Sequence, residues 1–178
     1  MRIISGKFKG KRLIAPKKLP VRPTTDFAKE ALFNILNNRI SFSEITFLDL
    51  FAGTGNISFE FASRGNKHIT AIDADYGCVQ FIKKISDELD FEITAIKADV
   101  FSFLEKSNQT FDVIFADPPY SFEVEHFEQI PQLIFKNNLL NEEGFIIIEH
   151  SKHTDLSKLS NFIESRRYGG SVFSFFQS

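Results

Sequence analysis

Asp117-Pro118-Pro119-Tyr120 follows the apolar run Val113-Ile114-Phe115-Ala116 and carries the sharpest chemical signal in this chain. Two adjacent prolines fix φ and remove two N–H donors. The turn is therefore stiff and presents acceptors: the Asp117 carboxylate and the Pro118 carbonyl. Such a pair suits an exocyclic amine, which has two N–H bonds to give. Holding both aims the nitrogen lone pair out of the base plane, toward a methyl donor. Tyr120 adds an aromatic face on which a base can stack. A base must be unstacked, or already looped out, to enter such a pocket. A proline turn also has a plain structural use at the end of a strand, and the turn alone does not choose between adenine, cytosine, guanine or glutamine nitrogen.

Three further apolar runs end in polar or glycine-rich groups. Ile45–Leu50 carries Asp49 and ends in Phe51-Ala52-Gly53-Thr54-Gly55. Glycines let a ligand approach the backbone and open a helix, although short glycine turns join many strands to helices. Asp73, 20 residues past Gly53, stands where a carboxylate accepts both hydroxyls of a ribose; its plainer use is as a turn residue. Asp99 can accept from an adenine amino group while Val100 offers its backbone N–H to a ring nitrogen, or Asp99 can simply cap the helix that follows. A dinucleotide site would want a third glycine where Ser58 stands, and without it the diphosphate reading weakens. A nucleoside ligand with no diphosphate fits better, and S-adenosylmethionine (SAM) is such a ligand. Thr24 and Thr25 precede a helical pattern from Asp26, so that helix's free amides suit a methionine carboxylate, unless the threonines only cap it.

These groups need a scaffold that delivers them to one edge. Apolar spacing predicts helices over 26–39, 56–64, 75–89, 100–106, 123–138 (kinked at Pro131) and 154–164. It predicts strands over 45–50, 68–73, 92–97, 111–116 and 145–149, then two more around Gly169-Gly170. Phe27, Ala31, Leu32, Ile35 and Leu36 form the apolar repeat of the first helix. The alternation implies an α/β fold with a largely parallel sheet, whose ligands bind beyond the carboxyl ends of the strands. Ile3-Ile4 and Leu13-Ile14 flank a glycine-containing basic segment and predict an N-terminal β-hairpin.

The chain has 178 residues, with 43% apolar and 25% charged, which are globular values. No apolar run nears the roughly 20 residues of a membrane span. The N-terminus lacks a secretory segment, and the one cysteine, Cys78, excludes an internal disulfide framework, so a reducing cytoplasm is expected. Cys78 and the four histidines show no metal-ligand spacing, so no metal is expected. Glu149 ends a strand near the site as a supporting residue, and His150 reads as structural.

Residues 1–25 hold eight basic residues and no acidic one; the remainder holds 13 basic and 23 acidic residues. A cationic arm on an anionic body implies a polyanionic partner, nucleic acid first. Arg2, Lys7, Lys9, Lys11, Arg12 and Arg22 are expected on RNA phosphates. Lys83-Lys84 and Arg166-Arg167 read as ordinary surface charge. Most of the 22 phenylalanines read as core filler.

Together these motifs resemble the class I SAM-dependent amino-methyltransferases. Phe51-Ala52-Gly53-Thr54-Gly55 looks like their first motif, Asp73-Ala74 and Asp99-Val100 sit where the second and third sit, and Asp117–Tyr120 matches their catalytic turn. The stretch from Arg2 to Leu13, then Arg22-Pro23-Thr24-Thr25-Asp26 and Glu30–Leu36, resembles the RsmD family of bacterial 16S rRNA (guanine-N2)-methyltransferases. The resemblance covers about residues 2–177. It implies a Rossmann-like class I fold with a seven-stranded, mostly parallel sheet and helices on both faces. It also implies a cationic arm over residues 1–25, a methyltransferase domain over 26–178, and a monomer acting on 16S rRNA in the small subunit or an assembly intermediate. Asp117, Pro118 and Tyr120 would be catalytic, with SAM held by Asp49, residues 51–55, Asp73, Ala74, Asp99, Val100, Thr24 and Thr25. The rivals are an adenine-N6 methyltransferase, a non-catalytic RNA-binding assembly factor, and an NAD oxidoreductase.

Overall fold

Phe47–Leu50 forms strand β1, buried at every residue. Strands buried on both faces read as continuous apolar runs, and they sit inside parallel sheets. In this computed structural model, which describes residues 1–20 and 24–178, β1 lies between β2 (Ile69–Asp73) and β4 (Phe111–Ala116), parallel to both. Arg22 lies outside the described residues. Outside β2 is β3 (Ile93–Lys97), and outside β4 is β5 (Leu140–Ser151), again parallel. β7 (Ser171–Phe176) runs antiparallel between β5 and the edge strand β6 (Phe162–Tyr168), so β6 keeps the direction of the other strands. The seven-stranded order is β3-β2-β1-β4-β5-β7-β6. Strand order therefore reverses between β1 and β4, the switch point at which ligands bind in such sheets.

Helices cover both faces. Leu104 of α4 (Val100–Lys106) and Phe127 and Ile130 of α5 (Val124–Lys136) pack on Ile114, Ile146 and Ile148. On the other face, Leu32 and Phe33 of α1 (Asp26–Leu36) and Phe61 of α2 (Asn56–Ser63) meet Val113, Phe115 and Phe173. Ile82 and Ile85 of α3 (Tyr76–Leu89) join Ile3 and Leu13 of the N-terminal arm in a third cluster. No helix among the described residues is long and apolar enough to cross a membrane.

Two expectations need correction, and a third is met only in short form. The predicted helix over 154–164 does not form. Before Phe162 only Leu156 and Leu159 offer apolar anchors, Asp155 turns its carboxylate onto the Ser157 amide, and Asn161 adopts a left-handed φ of 66°. β6 begins at Phe162 instead. The N-terminal hairpin is reduced to one antiparallel bridge, Arg2 to Arg12, flanked by Ile3 N donating to Lys11 O and Leu13 N to Met1 O, both at 3.0 Å, with turns between. The amides of Ile4 and Ser5 donate to the Glu60 carboxylate at 2.8 and 2.9 Å rather than across to a partner strand. The inner face of α1 is also rotated from the expected one: Ala28, Lys29, Leu32, Phe33 and Leu36 are buried, while Phe27 is 66% exposed.

The arm is bolted down from beneath. Lys29, fully buried, donates to the Arg2 carbonyl at 2.5 Å and to Asn56 Oδ1 at 2.8 Å, and pairs with Glu60 at 3.3 Å. Glu60 also receives Arg64 at 3.0 Å. Burial pulls the Lys29 ammonium below its ordinary pKa, and the Glu60 charge opposes that pull. Gly6 lies so close to the end of α2 that a Cβ would stand 1.9 Å from the Ser63 carbonyl oxygen, and its φ of +83° is itself a glycine conformation.

Candidate active site

Parallel pairing runs slightly past the strands. The Ala52 amide donates to Ile72 O at 3.0 Å, the Ala98 amide to Asp73 O at 3.0 Å, and the Asp117 amide to Leu50 O at 3.3 Å. The glycine bend, Asp73, Asp99 and Asp117 are thereby set in one row. They surround a cavity of about 490 Å³ at the switch point, within the size range of small-molecule sites.

The bend begins with Phe51, at a φ of 57°, and continues through Gly53 and Gly55 at 54° and 77°. The Gly53 amide donates to Asp73 Oδ2 at 2.8 Å, and Asp73 Oδ1 accepts from the Asp75 amide at 2.8 Å. One carboxylate thus fixes two loops, and each oxygen keeps a lone pair for a hydroxyl. Asp99 caps α4 by accepting from Ser102 N at 2.9 Å, and it lines the cavity with Val100. Its capping role is therefore real, and the adenine role remains compatible with it. Asp49, 2% exposed, accepts from Ser58 Oγ at 2.5 Å and Ser58 N at 3.2 Å. Burial pushes its pKa up to about 7; the two Ser58 hydrogen bonds oppose the shift, and the Asp73 charge adds to it. The Ser58 side chain fills the position a dinucleotide fold would leave to glycine.

Most sequence-predicted cofactor residues meet here: Thr24, Asp49, Phe51, Ala52, Gly53, Thr54, Asp73, Ala74, Asp99 and Val100, together with Asp117, Pro118 and Tyr120. Two do not line the cavity. Gly55 is the N-cap of α2, where a Cβ would stand 2.8 Å from Ile82. Thr25 caps α1, its Oγ1 accepting from Ala28 N at 3.2 Å, because the helix's own amide reaches that oxygen first. Thr24 turns the other way. Its hydroxyl donates to buried Glu149 at 3.1 Å, and Glu149 also accepts from Ser171 Oγ at 2.8 Å. Asn56 links this corner to the arm, donating to Thr24 O at 3.3 Å while accepting from Lys29.

Sequence reading missed Asn56, Asp75 and Lys29. Lys29 left a signal: a lysine in register with Leu32, Phe33 and Leu36 on one helical stripe. Asn56 and Asp75 left none, since helix starts commonly carry such residues. His150 is held by Ser151 O at 2.9 Å and Ser174 Oγ at 2.7 Å, and burial lowers its pKa. Cys78 is buried on α3 with its thiol pushed up to about 12 by burial, so it stays protonated and packs. Among the described residues no group of three His, Cys, Asp or Glu is placed to hold a metal.

The predicted arm cations are split. Arg2 pairs with Asp26 at 3.4 Å, at the start of α1 beside the cavity. The Lys7 amide donates to Ser63 O at 2.7 Å, which puts Lys7 at the far end of α2. Lys9 and Lys11 lie in the same turn, and Arg12 pairs back with Arg2.

The charge of the cavity is one-sided. Asp49, Asp73, Asp75, Asp99 and Asp117 line it, and no Lys or Arg does among the described residues. Such a lining repels a diphosphate and favours a cation. A switch-point site in a seven-stranded sheet whose last strand runs antiparallel between its neighbours defines a class I methyltransferase fold. The family model described as "Conserved hypothetical protein 95" matches residues 1–177, and the chain belongs to that family, the RsmD family of methyltransferases. Ribosomal RNA small subunit methyltransferase D of Buchnera aphidicola subsp. Baizongia pistaciae is 36% identical over 161 residues, 89% of this chain and 79% of that one. The protein of the same name from Haemophilus influenzae is 35% identical over 167 residues, 91% of this chain and 84% of that one. The solved structure of a hypothetical protein from Thermus thermophilus matches with a TM-score of 0.85 at 25% identity, over 100% of this chain and 99% of that one.

Proposed function

We propose that the cavity binds SAM and that the chain methylates the exocyclic N2 of a guanine in small-subunit 16S rRNA. The observation that carries this reading is the acidic cavity with the stiff Asp117-Pro118-Pro119-Tyr120 corner on its wall beside the glycine bend. When bound, SAM supplies a sulfonium-borne methyl group for in-line displacement. Asp73 is suited to the ribose hydroxyls, Asp99 and Val100 to the adenine, and Thr24 to the methionine carboxylate, with the first amides of α2 in place of those expected from α1, because Asn56 and Ile57 line the cavity and no residue of α1 does. Asp117 and the Pro118 carbonyl accept the two N–H bonds of the guanine amine and hold its lone pair toward the methyl. Orientation and stabilisation of the positive charge building on N2 are the main catalytic contributions. The N2 proton becomes acidic only after the methyl has arrived, so base strength at Asp117 is secondary. Tyr120, partly exposed at the mouth, offers a stacking face for the extruded base.

The arm cations are assigned to rRNA phosphates in the cytoplasm, with the protein acting as a monomer on the subunit or an assembly intermediate. Incubation with methyl-labelled SAM and undermodified small subunits tests the whole reading: one guanine should be labelled at N2. Label on adenine would transfer the activity to N6 chemistry, and tight RNA binding without label would leave an assembly factor. Asp117→Ala should keep SAM affinity within a few-fold and lose most turnover; unchanged turnover refutes its role.

A further inference from the structure

Phe27 is two-thirds exposed on the first turn of α1, although burying such a ring is favourable. A single exposed apolar side chain needs no explanation; the setting of this one does. Its ring partner among the described residues is Tyr168, met edge to face with centroids 6.3 Å apart. Tyr168 is braced from behind by Phe173 at 6.2 Å. Asp26, next to Phe27, holds exposed Arg2 at 3.4 Å. Arg166 shares a face of β6 with Tyr168, and its guanidinium is half exposed while it contacts Glu164. One exposed guanidinium is thus held by the residue next to Phe27, and another belongs to a residue two positions from Tyr168 on the same face of β6. This interleaving suits single-stranded nucleic acid, whose bases stack on rings while phosphates meet cations.

The pair also sits at the right edge of the molecule. Tyr168 pairs with Ser171, which donates to Glu149, which accepts from Thr24 on the cavity wall. The end of β4, which Asp117 follows, and the end of β6 are three strand spacings apart across the sheet, about 14 Å, and by the pairing register three residues apart along it, about 10 Å.

We propose that Phe27, backed by Tyr168 and flanked by Arg2 and Arg166, is a stacking platform for an unpaired ribonucleotide near the target in the same RNA strand. The proposal rests on the RNA-methyltransferase reading and extends it to a second base-contact site outside the cavity. Phe27 is outside the core, so Phe27→Ala leaves the fold intact, which a melting curve checks. The probe is a fluorescently tagged oligoadenylate dodecamer, chosen because stacking tolerates sequence. Phe27→Ala should weaken its binding on the order of tenfold. The slope of log affinity against log salt should stay at the wild-type value, because no phosphate contact is lost. Phe27→Trp should restore binding, and SAM affinity should not move. An effect under twofold, a flattened salt slope, or no wild-type binding to the probe overturns the platform. So does a wild-type dimer in sedimentation that Phe27→Ala dissociates, which would assign the patch to a second copy of the chain. If wild-type protein labels no rRNA nucleotide while Phe27→Ala still weakens the dodecamer, the methyltransferase reading fails and the platform stands.

Discussion

Asp49 should make cofactor binding pH-dependent in a window where ordinary carboxylates are silent. Its pKa is pushed up to about 7 by burial, and it lines a cavity assigned to a cationic ligand. A nearby positive charge favours the ionised carboxylate, so binding expels the proton. If only the ionised form binds well, SAM affinity at pH 6 should be about tenfold weaker than at pH 8, with close to half a proton released per binding event at pH 7. Calorimetric titrations in two buffers of different ionisation enthalpy measure that proton directly. An α-amino group such as the ligand's titrates at the upper end of this range, at roughly 7.7–8.0, so the decisive quantity is the difference between wild type and Asp49→Asn, which keeps an acceptor for Ser58. Asp49→Asn should lose the proton release near pH 6–7. Equal release by both proteins, or none in wild type, refutes the assignment. Stability has a linked sign. The folded pKa is raised from the ordinary 3.8, so between about pH 4 and pH 7 the folded chain holds a proton the unfolded chain has lost. Stability of the ligand-free protein falls across that window and levels off above it. Asp49→Asn should therefore gain on wild type at pH 8, by up to about 4 kcal/mol in urea unfolding.

Neutralising Lys7, Lys9 and Lys11 together should weaken RNA binding and flatten its salt slope by about one unit per lost phosphate contact; an unaltered slope would mean the tip of the arm does not touch RNA. Gly6→Ala drives a Cβ into the Ser63 carbonyl, so the arm should lift and trypsin should cut after Lys7–Lys11 faster than in wild type; equal rates would mean the turn relaxes in place. Lys29→Met leaves the buried Glu60 carboxylate short of its partner and should cost roughly 3 kcal/mol or more in urea unfolding, with a loss below 1 kcal/mol counting against the ion pair as the arm's anchor.

Much of this protein was legible in its sequence because local chemistry and global position agree. Continuous apolar runs mark central parallel strands, since both faces of such strands are buried, and each run named its own cavity-facing end: Gly53, Asp73, Asp99, Asp117. Glycine and proline report backbone geometry directly, so the bend and the diproline corner needed no tertiary contact to be seen. Tertiary structure decided what local pattern leaves degenerate. The threonines at 24 and 25 are chemically alike, and only the placement of Glu149 and of the first turn of α1 sends one to the cavity and the other to a cap. A lysine inside an apolar stripe is a contradiction until Glu60, Asn56 and the Arg2 carbonyl arrive from other parts of the chain to satisfy it. Phe27 fits the helical repeat as well as Leu32 does, yet α1 docks through the neighbouring stripe and leaves that ring outside. Five carboxylates scattered from residue 49 to residue 117 become one electrostatic field only when strand order brings them around a single hollow, because Coulomb energy depends on distance in space and takes no account of distance along the chain.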